Sequence, residues 1–336
     1  MYTPIVKWKA GERQALQQLS PAVKAQVRPL IEMVKPSAAF PDELQRVWGS
    51  SEVLLDARPV EDEPPPAGAS WLAWSIAESA KRNLRLVPVA TTDGDLISAA
   101  ELARIYRRGC ALRVPQSVLF EDALRDRVSD AIGQLGLGAE EIDLILDLGA
   151  VDESSVRATR TAALSVASLV APAWPWRSVV LAAGSYPESL SGVPRGLSRV
   201  RRLDRDVWKH IAAHVETDIG FADYGAGHPI LPDIDYSKAT MSAKVTYSTP
   251  DEWIIVKGQK ISDHPKGWGQ TVELCRLLLN EPDFDGAAAS WGDEFIDNVA
   301  NLQDRTGNAT TWVAVKTNRH ITATVQSLRS ATHGAL

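Results

Sequence analysis

Charged and aromatic side chains stand near the carboxyl ends of most of eight short apolar runs in this chain. They are Lys7, Trp8 and Lys9 at the first run, Glu32 in the second, Asp56 and Arg58 in the third, Arg113 in the fifth, Asp147 in the sixth, Ser185 and Tyr186 at the seventh, and Asp223 and Tyr224 in the eighth. Ionised groups are costly to remove from water unless they pair or bind something. This mixture is typical of a binding site, and its carboxylates also suit a hard cation such as Mg²⁺.

Three interpretations of these side chains are open. They line a ligand or substrate pocket, they form an internal ion-pair network, or their carboxylates hold a metal ion. In the network, Lys7, Arg58 and Arg113 would neutralise Glu32, Asp56 and Asp147. The residue types do not choose among the three, so we assign neither a catalytic residue nor a metal ligand.

A second cluster of charge is the arginine-rich segment between the seventh and eighth runs, residues 194–205. Its candidate ligand-binding side chains are Arg195, Arg199, Arg201 and Arg202. Arginine suits bidentate contacts with phosphate, and barrel enzymes often hold phosphate in the loops of this region. A nucleotide, a nucleic-acid end or an acidic protein partner would suit the cluster. The competing interpretation is a solvated basic loop that pairs with Asp204, Asp206 and the acidic loop Glu61–Glu63.

The elements that must position these side chains follow from the apolar runs, which alternate with stretches of helical periodicity. The runs are Tyr2–Trp8, Val27–Val34, Glu52–Arg58, Leu84–Thr91, Cys110–Pro115, Ile142–Leu148, Ser178–Ser185 and Phe221–Tyr224. Eight strands alternating with helices predict an α/β fold, a closed (β/α)8 TIM-like parallel barrel. In that fold all strands end on one face, the barrel mouth, where binding and chemistry occur.

The last third of the chain departs from this alternation. The segments Lys244–Ser248 and Glu252–Lys257 flank a Thr-Pro-Asp turn and predict a β-hairpin, within an inserted region of about residues 226–268. A C-terminal elaboration covers about residues 281–336, and we predict one domain over residues 1–336. The run Trp312–Val315 is expected to add a strand to the hairpin. This would bring Lys257, Arg319 and His320 to the barrel mouth beside Lys7 and Tyr224.

Composition sets the broad class. The 336 residues are 45% hydrophobic and 23% charged with a net charge of −6, which argues against wholesale binding of nucleic acid or anionic membranes. We expect no secretory signal and no membrane span, and therefore a cytoplasmic protein with two buried free cysteines. The sequence has no G-x-x-x-x-G-K-[ST] loop and no G-x-G-x-x-G after a strand, so the cofactor stays unknown.

Particular stretches resemble a known family. The opening Tyr2-Thr3-Pro4-Ile5-Val6-Lys7-Trp8-Lys9, followed by Pro29-Leu30-Ile31-Glu32, closely resembles the start of the beta protein family of phages, prophages and bacterial defence loci. Later stretches are similar too, among them residues 184–187, 221–224, 253–258, 307–312 and 318–321. The resemblance implies an antidote-like role in phage–host conflict. It carries over no catalytic residue.

Two classes of function follow. The first is a regulatory or immunity protein that binds a partner encoded nearby, a toxin or a defence effector, and possesses a site for a phosphorylated ligand at the barrel mouth. The second is a barrel enzyme acting on a nucleotide or phosphoester, with or without a divalent metal. Mixed acids and cations at the mouth fit both.

Overall fold

A computed structural model describes residues 1–230 and 241–333, and its central feature is a closed barrel of eight parallel strands. The barrel strands are β1 (Tyr2–Lys7), β2 (Leu30–Glu32), β3 (Val53–Asp56), β4 (Leu86–Thr91), β5 (Cys110–Val114), β6 (Ile142–Ala150), β7 (Ser178–Gly184) and β9 (Ile219–Asp223). The pairing of Thr3 in β1 with Ala222 in β9 closes the ring. Every predicted run overlaps one of these strands, so the predicted TIM-like barrel is confirmed.

Helices alternate with the strands. They are α1 (Ala10–Gln17), α2 (Pro21–Lys24), α3 (Phe40–Val47), α4 (Trp71–Ala80), α5 (Leu96–Tyr106), α6 (Gln116–Leu119), α7 (Leu124–Leu135), α8 (Val156–Val170) and α9 (Leu203–Ala212). Side-chain caps begin several of them: the Ser70 hydroxyl accepts from Ala73 N, and the Asp95 carboxylate accepts from Ser98 N. The apolar faces of α5, α7, α8 and α9 pack on outward-facing strand residues in one large core.

Alternate residues of each strand point into the barrel, because successive strand side chains face opposite sides. A central apolar plug consists of Ile5, Leu30, Leu54, Val87, Val89, Ala111, Ile145, Val180, Ala182, Ala222 and Tyr224. Continuing the alternation to the carboxyl ends of the strands gives one residue per strand, which we call the mouth layer: Lys7, Glu32, Asp56, Thr91, Arg113, Asp147, Gly184 and Tyr224. The strand register therefore gathers the candidate side chains in a single layer.

The chain divides into two compact units. Unit 1 comprises residues 1–8, 27–184 and 203–224 and contains the barrel; unit 2 comprises residues 9–26, 185–202 and 225–336. In unit 2 an antiparallel sheet of order β10-β11-β8 is formed by β8 (Gly196–Arg201), β10 (Ser242–Ser248) and β11 (Glu252–Lys260). One face of the sheet packs on α10 (Thr271–Leu279), α11 (Trp291–Ala300) and α12 (Ala309–His333). The division into one or several domains stays a prediction.

Unit 2 contains the predicted hairpin and the segment that was expected to extend it by one strand. The predicted hairpin is confirmed, since Tyr247 of β10 pairs with Ile254 of β11. The expected strand at Trp312–Val315 is wrong, because these residues lie in the 25-residue helix α12. Trp312 and Val315 are three residues apart, so one helical face places both in the core of unit 2.

The arginine-rich segment is also not the solvated loop that one interpretation expected. Residues Gly196–Arg201 form β8, which pairs with β11 along its length, from Gly196 opposite Lys257 to Arg201 opposite Glu252. Arg202 and Arg205, which follow this strand, are each 1% exposed. The segment is therefore a strand with exposed arginines at 199 and 201, followed by two arginines that are buried against aromatic rings.

Two further features agree with the composition. Cys110 and Cys275 are free and buried, as expected. Among the residues that the structure describes, no helix is both long and apolar enough to cross a membrane.

Candidate functional site

The mouth layer of the barrel is organised around the guanidinium of Arg113. Its Nε donates to Asp147 Oδ2 at 2.8 Å, and its Nη1 donates to Glu32 Oε1 at 3.0 Å and Asp56 Oδ2 at 2.8 Å. Its Nη2 donates to the Tyr224 hydroxyl at 2.7 Å and lies 2.7 Å from Asp147 Oδ2. One side chain from β5 thus joins groups from four other segments of the barrel.

These charges are buried. Arg113 is 4% exposed, Asp56 is fully buried and Glu32 is 9% exposed. A buried charge is tolerated when paired and fully hydrogen-bonded, and removing one partner typically costs about 3–5 kcal/mol. The cluster therefore contributes to the fold as well as to the chemistry of the mouth.

Arg58 supplies a second cation. Its Nη2 lies 2.6 Å from Asp56 Oδ2, and its own backbone N–H donates to Asp56 Oδ1 at 3.1 Å. Lys7, half-buried at the end of β1, acts electrostatically on Glu32. With Arg113, these two cations balance the formal charge of the three carboxylates of the layer.

Asp147 is held from both sides. The Tyr224 hydroxyl donates to its Oδ2 at 2.6 Å, and the backbone N–H of Gly149 donates to its Oδ1 at 3.0 Å. Gly149 has φ +64°, and a Cβ there would lie 2.8 Å from Gln116 Oε1. Glycine is needed at this position for the left-handed turn that aims its N–H at the carboxylate.

The environment separates the pKa values of neighbouring carboxyl groups. Burial raises the pKa of Glu32, with Asp56 adding to the effect and Arg113 opposing it. Burial also acts to raise the pKa of Asp56, but hydrogen bonds and charge from Arg58 and charge from Arg113 outweigh it, and that pKa is lowered. The pKa values of the two neighbouring carboxyl groups are therefore shifted in opposite directions by their surroundings.

Burial and the charge of Asp147 raise the pKa of Tyr224 well above its usual value, which keeps this phenol protonated as a donor. For Arg113, burial acts to lower the pKa, but the charge of Asp147, the Tyr224 phenol and the charges of Asp56 and Glu32 outweigh it and raise the pKa well above its ordinary value. The hydrogen-bond directions in the cluster are therefore fixed over the physiological pH range.

Thr91 is a member of the layer that the sequence reasoning did not name. It is 1% exposed and pairs in register with Arg113, yet its hydroxyl has no hydrogen-bond partner among the described residues. Its position was available from the sequence, because Thr91 continues the alternation of Val87 and Val89 in a predicted strand. A neutral threonine hydroxyl does not stand out by residue type as the carboxylates, cations and phenols of the layer do.

Two other predicted site residues of unit 1 lie outside the contacts of Arg113. Asp223 neighbours the inward-facing Tyr224 and so faces the other way, where it accepts from the Tyr2 hydroxyl at 2.5 Å. The Trp8 indole N–H donates to Glu43 at 3.0 Å, and its ring packs edge-on against Phe40 with centroids 5.2 Å apart. Two adjacent strand residues cannot both face the mouth, which the sequence prediction overlooked.

In unit 2, Lys257 and Tyr186 make hydrogen-bond contacts with other residues of the same unit. Lys257 Nζ donates to the carbonyls of Leu190 at 2.6 Å and Val193 at 2.7 Å. The Tyr186 hydroxyl lies 3.2 Å from Thr246 Oγ1. Lys9 precedes α1, where its carbonyl accepts from Arg13 N at 2.9 Å.

Arg319 and His320 lie on α12 and are buried in unit 2. Arg319 pairs with Asp285 at 2.6 Å and Asp293 at 3.3 Å. His320 Nδ1 lies 3.2 Å from Ser248 Oγ, and its ring stacks on Trp253 with centroids 5.0 Å apart. Their expected closeness to Lys7 and Tyr224 joins residues of different units and stays a prediction.

The four arginines of the second cluster have different environments. Arg199 contacts Glu252 at 2.8 Å and both Glu281 and Asp283 at 2.7 Å. Arg202 is buried with its guanidinium 4.9 Å from the Trp253 ring centroid. Arg195, Arg199 and Arg201 are exposed, and only Arg202 is buried. The cluster therefore combines one buried arginine with three exposed ones, of which Arg199 is paired with carboxylates.

A metal centre requires at least three suitable ligands arranged around one point. Within residues 1–230 and 241–333, no group of three His, Cys, Asp or Glu side chains has that arrangement. In the mouth layer, the Arg113 guanidinium occupies the position between the carboxylates.

The fold and the layer together define a TIM-like barrel protein whose strand ends converge on a buried, arginine-centred ion cluster. The sequence profile described as Beta protein matches residues 2–326, so the chain belongs to the beta protein family. No curated protein matches the chain significantly.

Proposed function

We propose that this chain is a regulatory or immunity component of a phage-defence or toxin–antidote locus, acting in the cytoplasm by binding a partner protein encoded nearby. The observation that carries the proposal is the Arg113 guanidinium, which bonds to three carboxylates of the mouth layer. In an enzyme that activates water or holds a metal, such carboxylates face the substrate or the metal. Here they neutralise an arginine, which favours binding over catalysis.

Family membership supports the biological context of this proposal, since the profile covers nearly the whole chain. The ligand class that we propose for the mouth is a phosphorylated small molecule. Arg58 keeps 33% of its side chain exposed and Lys7 is half-buried, so both cations are placed to meet an anion at the edge of the layer.

The alternative is a barrel enzyme acting on a nucleotide or phosphoester, and two observations favour it. Burial raises the pKa of Glu32, which is the direction of shift that a carboxyl group needs to act as a general acid. The unpartnered hydroxyl of Thr91 beside Arg113 would also suit contact with a substrate oxygen.

The test is a toxicity assay in which the chain is expressed together with the protein encoded by the neighbouring gene. Wild-type protein is expected to restore growth, and native mass spectrometry of the purified pair is expected to show a complex. Lys7→Ala and Asp147→Asn are expected to reduce protection at least about tenfold, equivalent to about 1.4 kcal/mol of binding.

The control is Arg157→Ala, which changes an exposed arginine on α8 and is expected to protect as wild type does. Circular dichroism of each variant checks that loss of protection is not loss of fold. Full protection by both mouth-layer variants would exclude the mouth as a functional site. Turnover of a nucleotide or phosphodiester by the purified chain alone would favour the enzyme.

A further inference from the structure

A cavity lies at the other end of the barrel, where the strands begin. Its volume is about 600 Å³, within the usual range for small-molecule pockets, and all of its lining residues belong to unit 1. Three strands have small inward-facing residues near their first positions, and these residues line the cavity: Thr3 in β1, Ser178 in β7 and Gly220 in β9. The apolar plug begins two residues further along these strands, at Ile5, Val180 and Ala222, so the small residues leave space for a ligand.

One wall of the cavity is charged. Asp143, 1% exposed, receives hydrogen bonds from Arg28 and from Arg177 Nε at 3.0 Å, and from the Ser178 hydroxyl at 2.6 Å. Arg28 Nε lies 3.1 Å from Glu52 Oε1, which Arg85 also approaches at 3.5 Å. Three arginines thus share two carboxylates, and this group has one positive charge in excess.

The arginines that face the cavity have donors to spare. Each guanidinium carries five N–H groups. Arg177 uses three nitrogens on Asp143 and the Arg108 carbonyl, and Arg28 Nη1 makes no hydrogen bond to any residue in the described part of the chain. Asp218 and Arg177 both line the cavity and are both exposed, so water screens the charge of each, and Arg28 is the more buried of the two lining arginines. An anion in the cavity would find unused, charge-assisted donors.

Another part of the lining is aromatic. Trp174 and Trp176 lie in the segment before β7, with ring centroids 5.4 Å apart, and both line the cavity with the neighbouring prolines 172 and 175. The Trp176 indole N–H is already used on the Val170 carbonyl at 3.0 Å. This wall therefore offers flat apolar surface and suits an aromatic ring.

We propose that this cavity binds a small organic anion built on a planar aromatic ring, that is, an aromatic carboxylate. The carboxylate would lie against Arg28 and Arg177, and the ring against Trp174 and Trp176. The site is separate from the mouth layer, and its occupation does not depend on the function proposed above.

The experiment is isothermal titration calorimetry of the full chain with indole-3-carboxylate, and with neutral indole-3-carboxamide as the matched probe. The carboxylate is expected to bind with a dissociation constant below about 1 mM, and the carboxamide at least about tenfold more weakly. Arg177→Gln is expected to reduce that preference. Equal affinity for both probes, or no binding of the carboxylate at millimolar concentration, would overturn the proposal.

Position 220 allows the cavity itself to be filled. A Cβ on Gly220 would meet the Val179 carbonyl and Val180 Cγ2 at 3.4 Å, which is ordinary contact, so Gly220→Ala is expected to fold and to weaken binding several-fold. Gly220→Leu is expected to abolish binding. Gly133→Leu, an equal enlargement at an open position on α7, is the control and should bind as wild type does. Wild-type affinity in both folded Gly220 variants would place the ligand elsewhere and refute the assignment.

Discussion

Arg113 sets the properties of the mouth layer at the scale of single residues. Its planar guanidinium reaches Glu32, Asp56 and Asp147 at once, which a lysine ammonium on a flexible stem would not reproduce. The same contacts bring three carboxylates together without a metal ligand arrangement among the described residues. A single side chain therefore distinguishes this layer from a cluster of acids open to a cation.

The opposite pKa shifts of Glu32 and Asp56 give a prediction for stability. Glu32 has a raised pKa when folded, so its contribution to stability is present below its ordinary value of 4.5 and is lost as pH rises through the folded value. Glu32→Gln cannot titrate. The free energy of unfolding of this variant is therefore expected to increase relative to that of wild type as pH rises from 4 to 7.

Asp56→Asn is the matched control from the same cluster. Because the folded pKa of Asp56 is lowered from 3.8, its ionised form stabilises the fold fully above 3.8, and this stabilisation is lost as pH falls through the folded pKa. The Asn variant should therefore fall further below wild type as pH rises toward 3.8 and should keep a nearly constant deficit at higher pH. Urea unfolding at a series of pH values measures both, with about 1.4 kcal/mol for each unit of pKa difference. Slopes of the same sign in the two variants would refute these pKa assignments.

At the scale of elements, close helix contact is the feature most sensitive to a single atom. On α1, a Cβ at Gly11 would lie 2.7 Å from Val313 Cγ1 and 2.9 Å from the Thr310 carbonyl of α12. The absence of a side chain at this position lets the two helices approach within unit 2.

Gly11→Val is therefore expected to lower the free energy of unfolding by about 1–3 kcal/mol, as overpacking of a filled contact usually does. Gly133→Ala, at an open position on α7, should instead be neutral or stabilising by about 0.5–1 kcal/mol, because alanine favours helix more than glycine. Urea unfolding of both variants measures the contrast. A stable Gly11→Val variant would mean that α1 and α12 do not pack this closely.

The secondary-structure elements differ in how well they could be predicted from the sequence. The eight barrel strands were predictable because each is a short apolar run between helical stretches, and even the short run Phe221–Tyr224 overlaps a strand, Ile219–Asp223. The strand Gly196–Arg201 could not be predicted in this way, because its arginines interrupt the apolar pattern. It is a strand because it pairs with β11. Trp312–Val315 was misassigned because its valines favour strands locally, whereas packing in the core of unit 2 favours helix.

The same limit applies to the candidate site. Strand periodicity placed Glu32, Asp56, Arg113 and Asp147 in one layer. It did not decide between Asp223 and Tyr224, because the phase of a short run was ambiguous. Nor did it indicate the cavity below the plug, which depends on small residues from three strands and on the aromatic segment that precedes one of them, β7.

At the scale of the whole molecule, the two units are interleaved along the chain. Each consists of three separate segments, and the chain passes from one unit to the other after residues 8, 26, 184, 202 and 224. The sheet of unit 2 takes β8 from residues 185–202 and its other two strands from residues 225–336. Unit 2 therefore cannot be excised as one continuous stretch without losing part of its sheet.

This arrangement predicts that a fragment of residues 225–336 will not fold cooperatively. It would lack β8, which pairs with β11 from Gly196 to Arg201, and α1, whose Gly11 meets α12. A two-stranded hairpin with uncovered helices is at best marginally stable in water. Circular dichroism melting and amide dispersion in NMR spectra of the fragment, beside the full chain, provide the measurement. A sharp melting transition and dispersed amides in the isolated fragment would show that β8 and α1 are dispensable, and the segment division described for unit 2 would then be wrong.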